Sequence, residues 1–599
     1  MPLKALRIPN LVGGLNLQDS SLLLNNNECT SALGVYFANG KVKRERGVAT
    51  FGGSFAGRAQ LLYDMTKSDG TEYLMLFTTS YVYVYDATTE LWDKVSDGFR
   101  MALTATTAAA SAVLTCTATW EEGIGDAVIS DGDEIIVVLD DGTLFSSTIA
   151  SKVDDTSITL DDVLPSQATS GAIIFRPRKL THTTTNAVSV SYWEYKEMLY
   201  ITNNVDPPFQ WDGVTCQQWH DESLAYGSRV TTYPDATSFV CKDLIIYKDR
   251  LFTINSIENS VRLNQRIRWC VSLDPTVWDS VVNPDAGYVD FYDLPEHLLA
   301  IEELNDMLVI YRDFSMLRGQ YTGSVTTLIS WKTVLTKESA LSFNGLFKDK
   351  TRHVVIGEED IFTYSGGYSV DSLSTKIRDY MHTLLSNIQI SDVWSAYAFK
   401  QPDLEEYWFC ITTNANAYVY KYNINTKTWS VAAYEGVLNA VGIYRDTHNI
   451  TIDDVEDTID SYEYTFDDAF LARERNRIMF DNNGSLLAYD VTNTTFDTAS
   501  IAFDLQTKDF IADEFEAKTI RIDHLELELF ASTGIEIDYS TNGGNTWTEY
   551  RSLVTGTLES MTDVYKQIIV SKVRFRFSGT DASFQLGGIN IYYRIEEIE

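Results

Sequence analysis

Histidine, cysteine, proline and positive charge are all scarce in this chain, and each scarcity removes a class of function. The seven histidines (His182, His220, His297, His353, His382, His448 and His524) never fall two within a ligand-sized interval. Paired-histidine metal sites are therefore not expected, and each reads as an ordinary polar or packed residue. Cys29, Cys116, Cys216, Cys241, Cys270 and Cys410 are scattered without a CxxC, so they read as buried free thiols rather than metal ligands or a disulfide framework. Only 11 prolines occur in 599 residues, which argues against a Pro-rich disordered chain. No apolar run is long enough for a signal peptide or a membrane span. Ala102 to Thr119 comes nearest but is too polar and too short. Manufacture and use without secretion by the usual signal route is the expectation.

Lys and Arg number 47 against 84 Asp and Glu, a formal charge of -37. Such a surface repels polyanions unless a basic patch survives. The densest basic stretches, Lys41, Lys43, Arg44 and Arg46, then Arg262, Arg266 and Arg268, are short and mixed. Duplex DNA is not expected to adhere, although an acidic wall past which DNA slides is compatible with this charge.

Signatures of chemistry are missing too. No Walker loop, GxSxG elbow, HExxH or GxGxxG opening a helix is present. Paired carboxylates such as Asp140/Asp141, Asp161/Asp162 and Glu358/Glu359/Asp360 abound, but adjacent turn carboxylates do not oppose each other across a cleft as a glycosidase requires. No catalytic, cofactor-binding or metal residue is assigned, no cofactor is expected, and the expectation is that the chain is not an enzyme. Ser540, Asn542, Gly544, Thr546 and Trp547 match the Asp-box pattern with Asn in place of Asp. In sialidase-like propellers that box is a structural hairpin, and here it predicts a hairpin first and a glycan-processing enzyme only weakly.

What the chain does have is aromatic repetition. Tyr85, Asp86 and Trp92 in YVYVYDATTELWD recur as Tyr422, Asn423 and Trp429 in YVYKYNINTKTWS, and as Tyr489, Asp490 and Phe496 in LLAYDVTNTTFD. Each unit reads as an alternating strand, a polar turn, and an aromatic opening the next strand. Strand alternation puts Tyr81, Tyr83 and Tyr85 on one face, and Tyr418, Tyr420 and Tyr422 likewise. Each hairpin thus carries an aromatic surface that a sister hairpin can cover. The second and third copies lie about 67 residues apart, roughly one four-stranded sheet with loops. Aromatic strand ends near 92, 211, 278, 340–365, 429 and 496 give a count of about six units. The expected fold class is all-β: a β-propeller of about six blades with an inserted small β module and a C-terminal β-sandwich-like domain.

The expected boundaries are an extended N-terminal arm over 1–38, propeller over 39–101 and 178–502, the inserted β domain over 102–177, and the sandwich over 503–599. Asn39 and Gly40 read as a tight hairpin turn into the first blade. The insert, marked by a shift to Thr, Ala, Ser and Asp, reads as a small barrel or sandwich, or else as one oversized blade, with a hairpin around Asp140, Asp141 and Gly142. One helix is expected between Ser372 and Asn387. The acidic run Asp453 to Asp468 reads as a solvated loop, with a cation site as the alternative. Gly543 and Gly544 supply positive φ for the central hairpin of the C-terminal domain.

The opening IPNLVGGLNLQDSSLLLNNNECTSALGVYFANGKVKRERG has a GLN element, a spaced Leu, Asn-Glu-Cys, an aromatic strand and an Arg-Gly turn. Together with DRLF at 249–252, RIRWCVSLDPTVW at 266–278, and EEYWF followed by YVYKYNINTKTWS, it resembles the tail nozzle or hub proteins of short-tailed phages, sometimes called tail tubular protein B. The resemblance implies a virion tail subunit, assembled in the host cytoplasm. It implies a ring of copies, expected to be a homohexamer, below the portal and adaptor rings, meeting head-to-tail connector proteins above and tail fibres or a tip below. DNA would be retained there and later pass through the lumen without specific binding. A glycan- or receptor-binding propeller at a tail tip or cell surface is the alternative reading.

Overall fold

The computed structural model describes residues 3–116, 129–182, 187–219, 239–388, 396–449 and 472–596, less short interruptions within those spans. The acidic run from Asp453 to Asp468 lies outside the described residues.

Among the described residues, seven antiparallel meanders of four strands follow one another along the chain, over 59–94, 189–218, 243–290, 298–336, 346–372, 397–434 and 439–489, the first five as separate sheets, the sixth as one end of an eleven-stranded sheet and the seventh within a six-stranded one. Each is a meander of consecutive strands, the form of a propeller blade. In the seventh, the fourth strand is Val48–Phe51 from the N-terminal segment, pairing antiparallel with Leu486–Tyr489. The count is seven where the aromatic pattern predicts about six. The sheet that the pattern misses spans 298–336. Its first turn is made by Asn305 and Asp306, both at positive φ, so no Tyr-turn-Trp signature marks it.

The repeat is real where its two halves are neighbours. Trp92 sits directly opposite Tyr85, and Trp429 directly opposite Tyr422. The ring centroids are 5.1 and 5.2 Å apart with interplanar angles of 52° and 55°, so two distant segments build the same cross-strand aromatic pair. The third copy departs from this. Val48–Phe51 inserts between its halves, pairing with Tyr489 on one side and Phe496 on the other.

By compactness the chain divides into two units. One comprises 52–339 with 483–485 and contains the first four sheets and the insert. In the insert, strands between Asp97 and Pro177 form a six-stranded sheet. A bridge between Leu103 and Cys116, with Thr104 N donating to Thr115 O at 2.9 Å, joins its first strand to its last and closes a small barrel. Leu114, Ile135, Val137, Ile158 and Ile174 fill it. Across the first strands of three successive sheets runs a single buried carboxylate. Asp243 accepts from the Ser189 hydroxyl at 2.5 Å and from the amides of Leu244 and Ile301, each at 2.7 Å.

The other unit comprises 1–51, 340–482 and 486–599, holding the last three sheets and a two-sheet sandwich. One sandwich sheet contains Lys4–Ile8, Val35–Ala38, Lys41–Arg44, Gln585–Glu596, Thr519–Leu529 and Ser560–Val570. The facing sheet contains Glu28–Leu33, Phe503–Thr507, Lys572–Gly579, Ile535–Ser540 and Thr548–Leu553. Thr519–Leu529 alternates inward Ile520, Ile522, Leu525, Leu527 and Leu529 against outward polar residues. Each fully buried aliphatic contributes about 1.5–3 kcal/mol. The helix Arg378–Ser386 buries Met381 and Leu385, one turn apart, on the same core.

The N-terminal residues differ from the expectation of an arm with little core of its own. Ile8, Leu11, Leu15 and Cys29 are buried in the sandwich core. Lys4–Ile8 pairs with Ile589–Tyr593, and Glu28–Leu33 pairs with Phe503–Thr507 while touching Val431 of the sixth sheet. Short apolar pieces separated by glycines and asparagines lack a core only until distant strands supply one. The Asn39–Gly40 turn forms with φ of 52° and 75°, but its hairpin joins the sandwich rather than the first blade.

Candidate interaction sites

The structure distributes the chemistry-bearing residues rather than gathering them. Among the described residues, no group of three His, Cys, Asp or Glu is placed to hold a metal ion. His182 is buried against Gln60 at 3.1 Å. His353 is fully buried, while His297 and His382 stand at the surface 3.4 and 3.7 Å from Asp313 and Glu359. All six cysteines are buried and free, and burial pushes their thiols up, away from the reactive thiolate. Among the described residues no helix is long and apolar enough to cross a membrane.

The Asp-box residues form a self-contained hairpin. Ser540 Oγ accepts from the Gly544 amide at 2.9 Å, and Asn542 Oδ1 from the Thr546 amide at 3.0 Å. Gly543 and Gly544 adopt φ of 74° and 89°. The polar side chains are spent holding the turn.

The two basic stretches have opposite fates. Arg266 binds Asp290 and Glu258 at 2.7 and 2.8 Å, and Arg268 reaches the same Glu258 at 3.0 Å. The Arg266 guanidinium holds Asp290 below the usual carboxylate range. Arg266 and Arg268 are thus neutralised internally, while Arg262 donates to the Asn255 and Asn204 side chains, each at 2.7 Å. Lys43, Arg44 and Arg46, by contrast, line a cavity of about 110 Å³ together with Tyr36, Glu45 and Gln585.

A third arrangement was not legible in the sequence. On the outer face of the sandwich, His524 lies between Tyr592 and Tyr565, with ring centroids 4.4 and 4.8 Å apart. The three rings come from three adjacent strands in direct register, His524 opposite Tyr565 on one side and Tyr592 on the other. Glu526 accepts from Asn590 at 2.7 Å and from the Tyr592 hydroxyl at 3.2 Å, and Asp563 accepts from the Tyr565 hydroxyl at 3.2 Å. Tyr565 is 61% exposed. Only strand pairing aligns these rings, across a sequence separation that no local motif reveals.

No protein-family model matches the chain, and no curated protein matches it in sequence. Solved structures do show similarity to it. An exo-β-1,3-galactanase from Phanerochaete chrysosporium is 9% identical, with a TM-score of 0.22 over 69% of this chain and 97% of that one. A glycoside hydrolase is 12% identical, with a TM-score of 0.21 over 68% and 96%. A catalytically inactive virginiamycin B lyase from Staphylococcus aureus is 10% identical, with a TM-score of 0.26 over 61% and 96%. The fold is all-β and of β-propeller type.

One expectation is corrected here. The sequence pointed away from any enzyme, yet the solved structures it matches include enzymes, so that exclusion is withdrawn. At such identities and TM-scores the likenesses assign no reaction to this chain.

Proposed function

We propose that this protein is a structural subunit of a bacteriophage tail, a nozzle or hub protein that forms the distal tail tube with further copies of itself as a ring. The observation that carries this reading is the N-terminal segment. The opening residues, on which the resemblance to tail nozzle proteins rests in part, also complete the seventh sheet and supply strands to both sandwich sheets. A rigid sheet scaffold with diverging loops suits ring assembly through head-to-tail contacts, which close when the rotation between copies closes. The charge of -37 suits a conduit in which DNA passes without adhering. Its partners in this reading are the adaptor or connector proteins above the ring and the fibres or tip below, and its place is the virion tail. Mass spectrometry of density-banded particles from the source culture tests it. The chain should co-purify with capsid and portal proteins in a small fixed copy number, and its absence from banded particles would overturn the reading.

The Tyr565–His524–Tyr592 ladder favours a second reading, glycan or receptor binding at a tail tip or cell surface. Aromatic rings beside carboxylates and an amide offer stacking and hydrogen bonds of the kind a saccharide uses. Saturable binding on a glycan array, lost in Tyr565→Ala, is its expected signature, and silence across the array would remove it.

A further inference from the structure

We propose that the cavity lined by Tyr36, Lys43, Arg44, Glu45, Arg46 and Gln585 is a binding site for a small oxyanion of the phosphate class. The donors are brought together by strand register. Tyr36 lies directly opposite Lys43, and Lys43 directly opposite Gln585, so a hydroxyl, an ammonium and an amide form a row across three adjacent strands. Arg46, just past the strand end, reaches the Tyr36 hydroxyl, and Tyr36 itself is 5% exposed. Glu45, the one carboxylate among these lining residues, has both oxygens already engaged. Its Oε1 accepts from the Arg46 amide at 3.0 Å and the Tyr489 hydroxyl at 3.3 Å, and its Oε2 faces Lys421 at 2.7 Å. Among the described residues Lys43 makes no ion pair. Its ammonium is pushed below its ordinary range by burial, then by Arg46 and Lys41, as expected where like charges converge.

On a chain of charge -37, such convergence costs free energy unless an anion relieves it. A volume of about 110 Å³ accommodates a single oxyanion group. Guanidinium, ammonium, hydroxyl and amide donors are the set that phosphate oxygens accept from, charge-assisted bonds being the strongest.

The test is isothermal titration of inorganic phosphate into the full-length protein, at constant ionic strength with chloride as the replaced ion. One saturable site is expected. Lys43→Gln and Arg46→Gln should each weaken it by about tenfold or more with an unchanged circular dichroism spectrum, while the exposed Lys196→Gln should bind as the parent does. Competition by a short single-stranded oligothymidylate separates two sources of the same chemistry. Displacement of phosphate assigns the site to a backbone phosphodiester and lack of displacement to free phosphate, and either result supports an oxyanion site. No saturable phosphate binding, or unaltered binding in both variants, would overturn the proposal.

Discussion

Lys421 Nζ lies 2.7 Å from Glu45 Oε2 with both side chains almost wholly buried. The Lys421 ammonium also sits 3.7 Å from the centre of the Trp408 ring, so a single cation ties the N-terminal segment to the sixth sheet. Glu45 stands three residues before the strand that completes the seventh sheet, which makes this pair an anchor for that closure.

Removing one member of the pair leaves an uncompensated buried charge. Lys421→Met alone is expected to destabilise the unit by about 3–5 kcal/mol, whereas Lys421→Met combined with Glu45→Gln recovers much of that loss. Urea unfolding of the parent, both single variants and the double variant measures the coupling. Additive losses would contradict the account.

Gly47 tests the closure from the backbone side. A Cβ there would stand 1.7 Å from the Thr495 carbonyl oxygen, a main-chain atom that cannot swing aside. Gly47→Ala should therefore lower the thermal midpoint and raise amide exchange in Val48–Phe51 and Leu486–Tyr489 above that of the first sheet. Exchange unchanged in both strands would show that the closure tolerates the clash.

Stability should also depend on pH in a defined direction. Burial pushes the carboxyls of Asp243 and Glu406 up to about 7. A carboxyl raised on folding binds its proton more tightly in the folded chain. Its contribution is therefore greatest below the ordinary carboxylate range and is lost as pH rises towards about 7, with a slope of up to about 1.4 kcal/mol per pH unit for each group. The thermal midpoint should be higher at pH 5.5 than at pH 8, and Glu406→Gln should flatten that difference. A midpoint rising with pH across this interval would be the opposite sign.

Asp243 offers a further test, because its carboxylate satisfies donors from the first strands of three successive sheets. Asp243→Ala leaves the Ile301 amide without this buried acceptor and should cost about 1–3 kcal/mol, read by chemical denaturation. A loss within about 0.5 kcal/mol would mean that the strands are held by packing alone.

The all-β class, the Tyr85–Trp92 and Tyr422–Trp429 pairs, the Asp140–Gly142 hairpin and the helix near Met381 were legible because each rests on local periodicity or turn chemistry. The sheet over 298–336 was not, because Asn305 and Asp306 make its turn without an aromatic mark. The weaving of residues 4–51 into distant strands was hidden as well, since a short apolar strand does not say which partner it will find. For the same reason the rings of His524, Tyr565 and Tyr592 and the donors around Lys43 became visible only through strand register. A sequence in which Arg266 and Lys43 look alike folds one into a neutral network and the other into a cavity.

The central claim is a place in a phage tail, and immunogold electron microscopy of particles from the source culture tests it most directly. With antibody raised against this chain, gold is predicted on a tail below the capsid vertex. Particles that remain unlabelled under conditions that expose buried epitopes would contradict the tail assignment.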